Sequence, residues 1–248
     1  MRKLSALAIV AALAGCSPAR MAGFDALVAR PDLDVVTISG IPAWYKGSFR
    51  VGNATGQVRR VARTDAIGWG SDGSGSAFQN VELGEAARFG YFEFALERGD
   101  FGGLLEGRCR YLRTEWRGRI GVVDIAETGE PMQMACAYRI DGTPVGRLDL
   151  IADPSKSEAI AERRVGRIAF GEARLAIRST HAIERTPFPT EQPIGYLLES
   201  ESGRTIAAME LGNGTERRML IPNAPGDRKA AAAALLTLAL FWDPGDVD

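Results

Sequence analysis

The stretch MQMACAYRIDGTPVGRLDLI, residues 132–151, decides the fold class of this chain. From Met132 to Ile140 every second residue is apolar, which is the period of a β-strand with one buried face. Asp141-Gly142 follows, and an Asp-Gly pair between two such runs predicts a tight hairpin turn. Residues 145–151 supply the second strand. We therefore predict an antiparallel hairpin here and a mainly β protein.

Similar short runs, separated by turn residues, continue along most of the chain. Together they predict about a dozen short strands, the number expected of an antiparallel barrel or a β-sandwich. The further predicted strands are 33–38, 48–51, 57–61, 91–96, 165–170, 174–178, 195–199, 205–211 and 217–221.

Only the end of the chain has the composition of a buried helix. No charged residue occurs from position 230 to position 242, and a helix of that length spans about 20 Å, too short to cross a bilayer. A helix that is apolar on all sides belongs inside a protein. Asp227 is the predicted N-cap, and Asp243-Pro244-Gly245 ends the helix. We predict one β-rich domain, 31–248, with a buried helix at 228–242.

Many antiparallel strands followed by one apolar helix resemble the tubby-like barrel of tubby, scramblase-type and LURP-one-related proteins. The resemblance covers residues 35–242 and depends on the order of elements and on the apolar run 230–242. It implies that the helix threads the centre of the barrel, and it suggests lipid binding by analogy. The alternative is a β-sandwich or half-barrel with the helix on one face, as in periplasmic lipoprotein-carrier proteins.

The N-terminus has the layout of a secretory signal. Arg2 and Lys3 are positive, residues 4–13 are apolar, and small residues follow. The apolar run is too short to span a bilayer. Leu13-Ala14-Gly15-Cys16 resembles the lipobox of bacterial lipoproteins.

That resemblance implies removal of residues 1–15 and acylation of Cys16 on its sulfur and new amino group. Two or more acyl chains hold a protein stably on a membrane. Residues 16–30 would then be the lipid anchor and tether. Ser17 replaces the aspartate that retains many lipoproteins at the inner membrane, which favours the outer membrane, facing the periplasm. The alternative is an ordinary cleaved signal with Cys16 near the cut by chance.

Cys109 and Cys136 are the two remaining cysteines, and each stands two residues before a tyrosine in a β-type run. In an oxidising compartment such a pair commonly forms a disulfide. The bond requires neighbouring strands with Cα atoms within about 7 Å. Otherwise the pair remains two separate buried thiols.

Composition and motifs argue against several functions. Thirty basic and 31 acidic residues give no electrostatic case for nucleic acid as a partner. His181 is the only histidine, and the Gly-Ser-rich stretch 68–76 lacks the Gly-x-Ser-x-Gly spacing of a hydrolase. One histidine and two separated cysteines do not make a zinc site. We expect no catalytic residue, metal or cofactor.

Two further features are weighed as binding surfaces. The pairs Arg59-Arg60, Arg163-Arg164 and Arg217-Arg218, with Arg167, could form an anion-binding face, but the charged outer wall of a barrel explains them more simply. Proline-aromatic loops occur at 41–45 and 186–189, and they cap the barrel or bind a partner.

These patterns predict a non-enzymatic lipoprotein of the cell envelope that binds a lipid or an envelope protein at the membrane surface. A hydrolase using His181 and a purely structural envelope component are the alternatives.

Overall fold

The structure is a computed structural model that describes residues 19–43, 45–70, 81–97, 99–120, 123–153, 162–212 and 216–241. At 66–70, 81–83, 115–120 and 123–128 only the backbone is described. The lipobox, including Cys16, lies outside the described residues, as do Trp44, the stretch 71–76, Trp242 and Asp243-Pro244-Gly245.

The described chain is mainly β, as predicted, and its strands are all paired antiparallel. The strands are β1 Leu33–Ser39, β2 Lys46–Val51, β3 Ala54–Gly70, β4 Val81–Glu97, β5 Leu104–Ile120, β6 Val123–Thr128, β7 Gln133–Ile140, β8 Thr143–Ala152, β9 Arg164–Phe170, β10 Ala173–Thr180, β11 Gly195–Glu199, β12 Thr205–Glu210 and β13 Arg217–Pro222.

Twelve of these strands form a closed barrel, which confirms the predicted fold class and excludes the open sandwich. The sheet runs from β4 through β3, β2 and β1 to β13, and then back in order to β7 and β5. Pairing of β4 with β5 closes the ring. β6 stands outside the ring because it pairs with the last residues of β5. Within the ring, closure removes the unpaired edges that an open sheet would present.

The hairpin predicted at residues 132–151 is present as β7 and β8. Asp141 and Gly142 form its two-residue turn, and both have positive φ, of 49° and 79°. That backbone conformation is the one for which Asp-Gly pairs are favoured.

The long helix of the described chain, α2, occupies Pro225–Leu240. It begins before the predicted residue 228 because Pro225 provides the first helical position, where its missing N–H costs no hydrogen bond. The prediction of Asp227 as N-cap is therefore wrong. Ala224 is the N-cap, and Asp227 lies in the first turn, where a negative charge complements the helix dipole.

Helix α2 lies in the lumen of the barrel, because it contacts opposite walls. Every residue from Ala230 to Leu240 is buried. On one side α2 packs against β9, β10 and β13. On the other, Thr237 Oγ1 hydrogen-bonds the hydroxyl of Tyr138 on β7 at 2.7 Å. The lumen is thus filled by the helix and by inward-facing apolar side chains.

The segment expected to be a tether packs on the outside of the barrel from Ala19 onward. A short helix, α1 Phe24–Val28, lies across β12 and β1. Met21 and Phe24 are buried there against Ala208 and Leu220. These apolar contacts make residues 19–30 part of the folded body.

The two ends of the barrel differ. At the end where α2 stops, which we call the Phe241 end, β9 begins and β10 and β12 finish. β3, β4 and β5 have 17 residues each and continue past the barrel at this end, where β5 exchanges its partner β7 for β6. Gly68 and Gly70 of the Gly-Ser-rich stretch belong to β3.

Candidate functional site

Buried polar side chains concentrate at the Phe241 end. Charges inside a β-barrel are costly unless they are hydrogen-bonded, so a cluster of them identifies a site with a specific role. Among the described residues, the buried charged or polar side chains are Arg60, Arg88, Arg164, His181, Glu210 and Thr237.

Arg164, the first residue of β9, is 3% exposed and closes this end over the helix. Its guanidinium donates to the Tyr196 hydroxyl at 3.2 Å and to Gln192 Oε1 at 2.9 Å, and it lies 5.7 Å from the centre of the Phe241 ring. Burial disfavours its charge, but Tyr196 and Glu162 outweigh that effect and raise the pKa of Arg164. Arg164 is therefore a permanent cation under the rim.

Arg60 on β3 terminates the helix. Its Nε donates to the Leu240 carbonyl at 3.0 Å, and its Nη1 donates to the Pro42 carbonyl at 3.1 Å. The last carbonyls of a helix lack intrahelical partners, and a cation is favourable beside them. Burial lowers the pKa of Arg60 to about 10, which still leaves it charged at neutral pH.

His181 follows β10 and makes two hydrogen bonds with its ring. Nδ1 lies 2.9 Å from the Thr190 carbonyl, which only accepts, so Nδ1 carries the proton. Nε2 then accepts from the Ser179 hydroxyl at 2.9 Å. Burial lowers the pKa of His181, and Arg164 and Arg163 lower it further. The neutral imidazole joins β10 to the loop at Thr190.

Ser179 and His181 have the separation of a serine nucleophile and its base. The surroundings oppose that chemistry, because a base must become an imidazolium and two arginines disfavour that charge. The third group is an uncharged carbonyl rather than a carboxylate. Sequence reasoning missed Ser179, whose only signal was its place two residues before the histidine.

Cys109 on β5 and Cys136 on β7 are directly opposed and form a disulfide. Their Cα atoms are 4.0 Å apart, and both side chains are buried in the lumen. β5 and β7 are neighbours although β6 lies between them in sequence.

The arginine pairs do not assemble into one face. They stand on or beside β3, β9 and β13, and adjacent residues of a strand lie on opposite sides. Arg59 is exposed and 3.6 Å from Glu93, whereas its neighbour Arg60 is inside. Arg167 is exposed and pairs weakly with Asp149. In the pair Arg59-Arg60, the charged outer wall therefore explains Arg59, and Arg60 is a buried cation. Arg217 and Arg218 are both half-buried, and Arg218 bonds Glu210.

Both proline-aromatic loops expose an aromatic side chain. In the loop at 41–45, Ile41 is buried and caps the core, whereas Tyr45 is 52% exposed. Phe188 is 74% exposed, the highest value among the exposed large hydrophobic residues of the described chain. Residues on either side of it are pinned, since Ala182 bridges to Pro189.

Grooves in the described structure lie on the outer wall and beside the first turns of α2. One of about 530 Å³ crosses β8 to β11, and one of about 650 Å³ crosses β2 to β5. Both contain charges of both signs. A smaller cavity, about 160 Å³, lies between α2 and the wall near Arg228.

Within the described ranges no three metal-ligating side chains cluster, and no helix has the length and apolarity to cross a membrane. In comparisons with known proteins, no family model, curated protein or solved structure matches the chain.

Proposed function

We propose that this protein is a non-enzymatic lipoprotein of the cell envelope, anchored through acyl chains on Cys16, that binds a protein partner at the membrane surface. The outer membrane, facing the periplasm, is its proposed place. The observation that carries the binding part of the proposal is the filled lumen. Because α2 and the inward side chains occupy the barrel interior, recognition is left to the outer wall and the rims.

The fit between the N-terminal segment and the barrel supports the anchor. The Met21 N–H donates to Glu210 Oε1 at 2.8 Å, and Arg218 also bonds Glu210. Met21 follows Cys16 by five residues. An acylated Cys16 would therefore keep the barrel close to the bilayer.

Charged grooves on the outer wall support a protein partner over a lipid cargo. The groove across β8 to β11 is lined by Arg147, Arg167 and Arg174 together with Glu199 and Glu201. Mixed charge of this kind gives specificity and orientation to a protein interface. An acyl chain would need an apolar cavity of about 300 Å³ or more, and the cavity between α2 and the wall has about 160 Å³.

Intact mass spectrometry of the protein purified from membranes tests the anchor. The expected mass is that of residues 16–248 with acyl chains, and Cys16→Ala should give neither acylation nor membrane retention. Native mass spectrometry of the same sample tests the filled lumen. A lipid bound in the interior at one per protein would contradict it.

A hydrolase remains the second candidate, because Ser179 and His181 are hydrogen-bonded. Ester hydrolysis by the parent protein, by Ser179→Ala and by His181→Ala discriminates the two. Equal rates support the binding module, whereas an activity lost in both variants would establish the enzyme.

A further inference from the structure

We propose that residues 182–190, here called the Phe188 loop, form a lipid-docking surface that inserts Phe188 into the headgroup layer beside the anchored N-terminus. The inference rests on the proposed acylation of Cys16. Beyond that proposal, it states that the Phe241 end of the barrel faces the membrane and that the Phe188 side chain enters the membrane.

The loop holds an apolar side chain in water. Phe188 is flanked by Pro187 and Pro189, whose fixed φ angles restrict the backbone. Its N–H donates to Thr186 Oγ1 at 3.2 Å, and the bridge between Ala182 and Pro189 ties the ends of the loop. A fixed loop that exposes a phenylalanine is preorganised for an apolar environment.

The N-terminal segment pairs directly with this loop. The Ala22 N–H donates to the Ala182 carbonyl at 2.9 Å, and the Glu184 N–H donates to the Arg20 carbonyl at 2.8 Å. Met21 and Ile183 form the bridge between these two bonds. The point at which the anchored chain meets the barrel is therefore the base of the Phe188 loop.

The short distance along the chain from Cys16 to the base of the Phe188 loop favours the lipid surface as the partner of this loop. Cys16 precedes Arg20 by four residues, which span at most about 14 Å when fully extended. Phe188 follows Glu184 by the same number of residues. The headgroup layer of one leaflet is about 5–8 Å deep. With acyl chains on Cys16 in the bilayer, the loop is held within reach of the headgroups.

Charge at the loop suits the same environment. Arg185 is 89% exposed, and its Nε lies 3.9 Å from Glu184, too far for a strong pair. Its φ of 65° is unusual for a residue other than glycine, so the backbone is held in a strained turn there. An exposed arginine beside an aromatic side chain binds lipid phosphates while the ring enters the interface.

The test places an environment-sensitive fluorophore, nitrobenzoxadiazole, on Phe188→Cys in the acylated full-length protein. The protein is reconstituted in vesicles of phosphatidylethanolamine and phosphatidylglycerol that contain a nitroxide-labelled lipid. Cys109 and Cys136 are bonded to each other and do not react. Glu172→Cys is the matched control, because Glu172 is exposed in the turn at the opposite end of β10. Thermal unfolding of both variants should match that of the parent.

The expected result is blue-shifted emission and strong nitroxide quenching at position 188, at least threefold greater than at position 172. Equal and weak quenching at both positions, with acylation of Cys16 verified by mass, would overturn the inference and leave the anchor intact. Absence of acyl chains in the mass spectrum would overturn both proposals. Phe188→Ser should leave acylation unchanged and make the Phe188 loop of the vesicle-bound protein accessible to protease. If the loop of this variant is as well protected from protease as that of the parent, docking is also contradicted.

Discussion

Removing the disulfide between Cys109 and Cys136 should lower the stability of the barrel substantially without changing its fold. The change is the double substitution Cys109→Ala, Cys136→Ala. Both residues lie in the lumen, so alanine avoids burying a new polar group. β5 and β7 remain paired through eight register positions, Leu105 to Leu112 with Ile140 to Gln133, which should preserve the native geometry.

The magnitude follows from the length of the closed loop. A sequence separation of 27 gives a loop-closure entropy equivalent to about 3.5 kcal/mol at 25 °C, because the cross-link restricts the unfolded chain. For a chain of this size, each kcal/mol shifts the melting temperature by about 2–4 °C. The double variant should therefore melt about 7–14 °C below the parent.

Calorimetry and denaturant unfolding measure the loss, and thiol titration measures access to the bond. Because both cysteines are buried, dithiothreitol should reduce the parent only after denaturant has unfolded it. A melting temperature within about 2 °C of the parent would refute the entropic argument. Reduction in native buffer at the rate seen in denaturant would refute the burial.

Three further outcomes are expected. Arg60→Met should cost about 2–4 kcal/mol, since it removes the donor to the buried Leu240 carbonyl at the end of α2. Arg59→Met on the exposed side should change stability by less than about 0.5 kcal/mol, and urea unfolding of the two variants checks this. Tyr138→Phe should cost about 1 kcal/mol through its lost bond to Thr237, and an unchanged stability in the same assay would argue against the helix register in the lumen. The folded pKa of His181 is lowered, so the unfolded state binds more protons below about pH 6.5. The free energy of unfolding should therefore fall as the pH drops from neutral through that value. His181→Gln should reduce this dependence of stability on pH.

Sequence patterns predicted the fold where a single local rule applies. The Asp141-Gly142 turn is decided by two adjacent residues and their preferred backbone. Burial of residues 230–240 is decided by the absence of charge in a helix-length run. Neither prediction required knowledge of a distant partner.

Long-range pairing accounts for what the sequence could not decide. Cys109 and Cys136 become neighbours because β5 pairs with β7 as well as with β6. Turn residues predict pairing only between consecutive strands, so they do not predict the pairing of β5 with β7. Strand alternation requires that one of Arg59 and Arg60 faces inward, but which one depends on the register across β3. Docking of Met21 likewise depends on Glu210, 189 residues away.

The pairing of β1 with β13 has a consequence for how the protein is made. β1 pairs with β2 early in the chain, but its second partner, β13, is complete only when Pro222 has emerged. The helix that fills the interior comes later still. A nascent chain that lacks β13 and α2 therefore carries an open, apolar-faced sheet, and such intermediates attract chaperones and proteases. A product that stops before α2 lacks the segment that would hide the barrel interior from quality control.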